Sequence, residues 1–160
     1  MAQFGIYVHW PFCESKCPYC DFNSHVGKAI DHEAWRRAYR VELCRYAIET
    51  SHRTVTSIFF GGGTPSLMEP RTLAEIINII KELWPISKEL EVTLEANPSS
   101  TEVETFDSFR RAGVNRLSLG VQSLEDATLL FLGRRHSAAE AIEAAKTVAQ
   151  IFERYSIDLI

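Results

Sequence analysis

No apolar stretch in these 160 residues approaches the roughly 20 needed to span a bilayer as a helix. No basic segment followed by an apolar one opens the chain, so a secretory leader is not expected either. An excess of charge is also missing: 17 Lys and Arg against 21 Asp and Glu leave a net charge of −4. Such mild acidity gives no footprint for nucleic acid as a partner. Adjacent basic residues, Arg36-Arg37, Arg110-Arg111 and Arg134-Arg135, read as solvated helix faces or loops. Repeats, linkers and low-complexity tracts are absent, and with 46% hydrophobic residues one domain with its own core is expected. Cysteine is scarce. Of four, three fall within eight residues and Cys44 stands apart. With the cytoplasm as the default compartment, three close cysteines read as a metal or cluster site and not as a disulfide framework. Cys44 falls inside a helical pattern and reads as a buried structural thiol.

What is present alternates between strand and helix. Short apolar strands are expected at 4–9, 56–60, 90–96, 116–122 and 156–160. Helices are expected at 31–49, at 70–84, from the capping box Ser99-x-x-Glu102 to Gly113, and after the box Ser137-x-x-Glu140. In the last of these Ala141, Ile142, Ala145, Val148 and Phe152 make the buried side. Alternation of this kind predicts a parallel sheet with helical crossovers. The strands are two-faced: Leu90, Val92, Leu94 and Ala96 oppose Glu91, Thr93 and Glu95, while Leu117, Leu119 and Val121 oppose Ser118, Gly120 and Gln122. A sheet covered on both faces shows near-continuous apolar strands. Here one face suits helices and the other a polar interior, as in a (β/α) barrel. His9, Glu95 and Gln122 fall at C-terminal strand ends, where such barrels keep their active sites. The fold class is therefore α/β, a partial (β/α) barrel. A complete barrel takes about 200 residues or more, so residues 1–160 are expected to be the N-terminal part of a core domain, stopping at about the fifth strand.

The chemistry sits in Cys13-x-x-x-Cys17-x-x-Cys20, in the loop after the first strand. Thiolates are soft ligands suited to iron–sulfur clusters. Three of them on a [4Fe-4S] cubane leave one iron free to take the amino and carboxylate groups of S-adenosylmethionine (SAM). The spacing leaves two alternatives open: a zinc site with His9, His25 or Cys44 as fourth ligand, and a chance grouping. No second Cys-x-x-Cys pair supports zinc. Gly61-Gly62-Gly63-Thr64-Pro65 follows the second strand, and its glycines let backbone approach a ligand closely. With Glu95-Ala96-Asn97-Pro98 and Gln122 it falls at strand ends that converge on one place.

These residues resemble a known family. Tyr7–Cys13, Cys17–His25, Gly61–Ser66, Glu95–Pro98, Gly113–Ser118, Gly120–Ser123 and Ile157–Ile160 are similar to the N-terminal part of the HemN/HemW group of radical SAM proteins. The resemblance covers essentially the whole chain. It implies a radical SAM barrel in which Cys13, Cys17 and Cys20 ligate a [4Fe-4S] cluster. It implies that Tyr7 and Tyr19 lie beside SAM, that Gly62, Gly63 and Thr64 hold its methionine end, and that Glu95, Gln122, Arg134 and Asp158 complete the pocket. The group contains oxygen-independent coproporphyrinogen III oxidases and heme chaperones. The oxidases carry a further cysteine two positions after the last cluster cysteine, where this chain has Phe22; Asp21-Phe22-Asn23-Ser24-His25 is similar to the chaperones. The implied partners are SAM, heme or a porphyrin, an electron donor and heme-acceptor proteins. Heme belongs to the full-length protein, because the family's heme-binding segment lies beyond residue 160.

Overall fold

The computed structural model describes residues 4–27 and 29–160, and nothing is stated for the side chains of residues 100 and 101. Five strands, β1 (Phe4–Trp10), β4 (Val55–Gly62), β5 (Ile86–Ala96), β6 (Arg116–Gln122) and β7 (Arg154–Leu159), form one sheet in that order, with every neighbouring pair parallel. A strand order that never reverses is the winding of a barrel wall, not of a doubly wound sheet. A two-residue pair, β2 (Phe12–Cys13) with β3 (His25–Val26), stands beside it. Helices α1 (His32–Thr50), α2 (Pro70–Leu83), α3 (Ser100–Val103), α4 (Phe106–Ala112), α5 (Asp126–Phe131) and α6 (Ala138–Ile151) complete the chain. No helix among the described residues is long and apolar enough to cross a membrane.

The two-faced strands build this architecture. Ile58, Phe60, Val92, Leu94, Leu117 and Leu119 are all within 2% of full burial. They meet Ile76 and Ile80 of α2, Phe109 of α4 and Val148 of α6 in one core. The opposite face is polar. Arg116 Nη2 donates to Ser156 Oγ (2.9 Å), and Ser118 Oγ lies 2.9 Å from both Ser156 Oγ and Asp158 Oδ2. The buried Ser118 and the partly buried Ser156 and Arg116 satisfy one another there.

Four expectations need correction. Cys44 is exposed; Leu43 and Ala47, four residues apart on one helix face, take the buried positions, and a neighbour of Leu43 lies about 100° round the axis. In α6 the buried side runs through Ala141, Ala144 and Val148 and continues at Phe152 just after the helix, while Ile142 is exposed. The stretch from Ser99 to Gly113 is two short helices, not one. Glu102 turns inward to Ser66 and Asn97, and Thr105 Oγ1 takes the Glu102 carbonyl at 2.6 Å, a local bond that competes with helix continuation. Finally, the basic pairs are not uniformly solvated. Arg36 is mostly covered, bonded to Thr72 (2.9 Å) and paired with Glu69 and Glu75, and Arg134 turns inward as described below.

Candidate functional site

The loop from β1 to α1 carries the three cysteines and is tied down at both ends. His25 N donates to Pro11 O (2.7 Å), His9 Nε2 lies 2.9 Å from Asn23 O, and Tyr39 Oη donates to His9 O (2.7 Å). Within it Cys20 N closes a turn on Cys17 O at 3.0 Å. All three thiols are free, and all three line one open cavity of about 350 Å3 at the C-terminal ends of the strands.

The glycine loop after β4 is stitched to the cysteine loop: Gly63 N donates to Trp10 O (2.6 Å) and Thr64 N to Phe12 O (2.8 Å). At Gly63 an added Cβ would stand 2.6 Å from Phe12 O and 3.0 Å from Cys13 Sγ. Only a bare backbone fits between these strands and the thiol. Glu95, at the end of β5, accepts from Gly62 N at 3.3 Å. Burial pushes its carboxyl above the usual range; the Gly62 N–H opposes this, and the negative Asp158 adds to it.

Gln122 ends β6 with φ of +67°, the one non-glycine residue in that region among those described. The β6–β7 register shifts between Gly120 and Gln122. A side chain held there by its neighbours is placed at the expense of backbone comfort, a pattern that clusters at binding sites. Arg134 follows α5 and turns into the cavity wall. Its Nη2 donates to Asn97 Oδ1 (2.7 Å) and Gly120 O (2.9 Å), while Nη1 lies 3.6 Å from Cys17 Sγ and 3.5 Å from Tyr19 Oη. Burial raises the Tyr19 phenol, with Arg134 pulling the other way.

The cavity wall thus holds Cys13, Cys17, Cys20 and Tyr19, together with Gly63, Thr64, Glu95, Gln122, Arg134 and Asp158. Two sequence candidates stand outside it. Gly62 contributes its backbone N–H to Glu95. Tyr7 lines a second cavity beside β1 and α1; its hydroxyl lies 3.1 Å from His9 Nδ1, its ring stacks on Phe59, and the ring and Glu95 Oε2 both flank Gly61. Residues given no individual role from the sequence also belong here. Asn97 bridges Arg134 to the buried Glu102; Ser118 bonds Asp158; and His136, pushed down by burial, binds Val121 O at 3.0 Å. Glu102 read as a capping residue, and nothing in its local pattern marks an inward turn.

The donor set fits a cluster better than a single ion. No three His, Cys, Asp or Glu side chains among the described residues gather as one metal ion requires, whereas a cubane binds each thiolate at a different iron. His9 has both ring nitrogens engaged, and Cys44 lies on the exposed side of α1. Two residues of the wall, Ser24 and Arg134, each hold a buried donor with no protein partner, Ser24 Oγ and Arg134 Nε. A ligand rich in acceptors would supply those partners.

Residues 7–160 match the family model described as the radical SAM superfamily. The chain belongs to the radical SAM superfamily. Its relatives are those of the HemN/HemW group. It is 43% identical over 157 residues to "Radical S-adenosyl methionine domain-containing protein 1, mitochondrial" of Bos taurus, covering 98% of this chain and 36% of that protein. It is 39% identical over 162 residues to "Heme chaperone HemW" of Escherichia coli, covering 100% of this chain and 43% of that protein. In three dimensions it matches coproporphyrinogen III oxidase (HemN) of Escherichia coli with a TM-score of 0.87 at 26% identity, over 98% of this chain and 37% of that one. The radical SAM chain therefore spans less than half the length of these relatives.

Proposed function

We propose that residues 1–160 are the N-terminal part of a radical SAM core domain that binds a [4Fe-4S] cluster and SAM and belongs to a heme chaperone of the HemW type. The observation that carries this is the convergence of three free thiols with Glu95, Gln122, Arg134 and Asp158 on one cavity at the strand ends. Cys13, Cys17 and Cys20 would hold the cluster. Gly62, Gly63 and Thr64, with Tyr7 and Tyr19, would hold SAM alongside the four polar wall residues. When bound, the pair of cofactors supplies one-electron cleavage of the SAM sulfonium. This chain binds and orients them. Arg134, whose Nε–H has no protein partner, offers a donor to a carboxylate, and Gln122 offers both donor and acceptor. The free thiols support a reducing compartment, proposed to be the cytoplasm; the mitochondrial name of the bovine relative makes the organelle matrix the alternative.

Coproporphyrinogen III oxidase is the second reading, favoured by the fold match to HemN. Phe22 speaks for the chaperone: it is 58% exposed beside the cavity, at the place where the oxidases carry a further cysteine. Heme, porphyrin, an electron donor and heme-acceptor proteins are proposed partners of the full-length protein. The test is anaerobic incubation of that protein with SAM, a reductant and coproporphyrinogen III, followed by porphyrin chromatography and a heme-binding titration. Heme binding without decarboxylation is expected. Turnover to protoporphyrinogen IX would promote the oxidase.

A further inference from the structure

Glu102 is the most deeply buried carboxylate lining the cavity, 7% exposed. Its neighbours are unusual. It accepts from Ser66 Oγ of the glycine loop, from Asn97 N (2.8 Å) and from Asn97 Nδ2 (3.2 Å). Asn97 Oδ1 in turn accepts from Arg134 Nη2 at 2.7 Å, and Arg134 Nη1 reaches the Cys17 sulfur and the Tyr19 hydroxyl.

We propose that Glu102 is a positioning residue: through Asn97 it fixes the guanidinium of Arg134 against the cysteine loop. The physical reason lies in the two ends of an amide. A side-chain amide has a donor end and an acceptor end of similar shape. A carboxylate accepts only, so Glu102 must face the NH2 of Asn97, which turns the amide oxygen toward Arg134. With Glu102 uncharged or absent, one of the two groups that orient the amide is lost, the amide is held less firmly, and a flipped NH2 would confront the guanidinium, donor against donor. The same carboxylate holds Ser66, so it locks the loops after β4 and β5 in one arrangement. Burial pushes its carboxyl upward, with Ser66 and Asn97 opposing the shift, as expected of a group kept for its bonds and not for its solvation.

This rests on the SAM-binding reading of the cavity, and two measurements separate the two claims. In the first, the reconstituted chain is titrated with SAM while the EPR signal of the reduced cluster is followed. E102Q should keep the parent's iron content and bind SAM about tenfold more weakly, about 1.4 kcal/mol. N97A should show a similar loss, and adding E102Q to N97A should weaken binding no further, because the two act in series. Equal losses from E102Q in both backgrounds would overturn the proposal. A parent chain that takes up a cluster but ignores SAM would refute the SAM reading alone.

The second measurement reads the guanidinium itself in the metal-free chain. The Nε–H of Arg134, buried in the structure, should exchange slowly with water by NMR in the parent. It should exchange many times faster in E102Q and in N97A. Unchanged exchange in both variants would overturn the positioning role whatever the cofactors do.

Discussion

At Gly62 one added methyl group would stand 2.7 Å from Trp10 O, on a backbone whose φ is +119°. Gly62→Ala should therefore lower stability by on the order of 1–3 kcal/mol, read as a lower urea midpoint; an unchanged midpoint would mean the loop relaxes freely. Glu95 gives a pH signature. Its folded pKa is raised by burial, so its favourable contribution is present below the unfolded carboxylate range and is lost as pH rises through the folded value. Glu95→Gln should raise the melting temperature at pH 7, and the gap should close as pH falls toward about 4. A gap that stays constant with pH would remove burial as the cause. The same substitution should weaken SAM binding, so stability and function pull apart at this residue. Glu95 was legible in the sequence because strand parity turns it inward. Glu102 was read only as a capping residue and Asn97 only as part of a strand-end motif, because their contacts depend on partners 36 and 37 residues away, Ser66 and Arg134.

Among the elements, those with a full periodic signal were read closely and the short ones were not. β6 was expected at 116–122 and is found there, and the box Ser137-x-x-Glu140 does cap α6, with both reciprocal bonds formed. Ser137→Ala should reduce stability by about 1 kcal/mol, a fall of roughly 2–4 °C in melting temperature for a chain of this size; no change would show that the helix end finds water instead. By contrast α5 spans six residues and β2 and β3 two each. Segments that short carry no period, and tertiary context decides them. They matter here: β2 and β3 clamp the cysteine loop, and the turn after α5 presents Arg134. Gly133, at φ +68°, makes that turn against Pro18 of the cysteine loop, 2.8 Å from where a Cβ would be.

For the molecule as a whole, the barrel wall has an uncovered stretch. On the outer face of β7, Ile157 and Leu159 are 44% and 62% exposed, while the same face of β6 is buried under helices. Exposed apolar strand surface at a sheet edge invites self-association. Residues 1–160 on their own should associate with rising concentration in light scattering, and Ile157→Lys with Leu159→Lys should reduce that association. A monodisperse chain at all concentrations would show that this face is harmless. The barrel winding was readable from two-faced strands, and the family from its motifs; how the loops interlock over the cavity came only from the folded arrangement. The most direct test of the central claim is anaerobic reconstitution followed by iron and acid-labile sulfide analysis, with EPR before and after SAM. Close to one [4Fe-4S] cluster per chain is expected, lost in Cys13→Ala, Cys17→Ala or Cys20→Ala, kept in Cys44→Ala, and altered in its EPR signal by SAM. Tightly held zinc with no labile sulfide, or a cluster unaffected by all three cysteine substitutions, would contradict it.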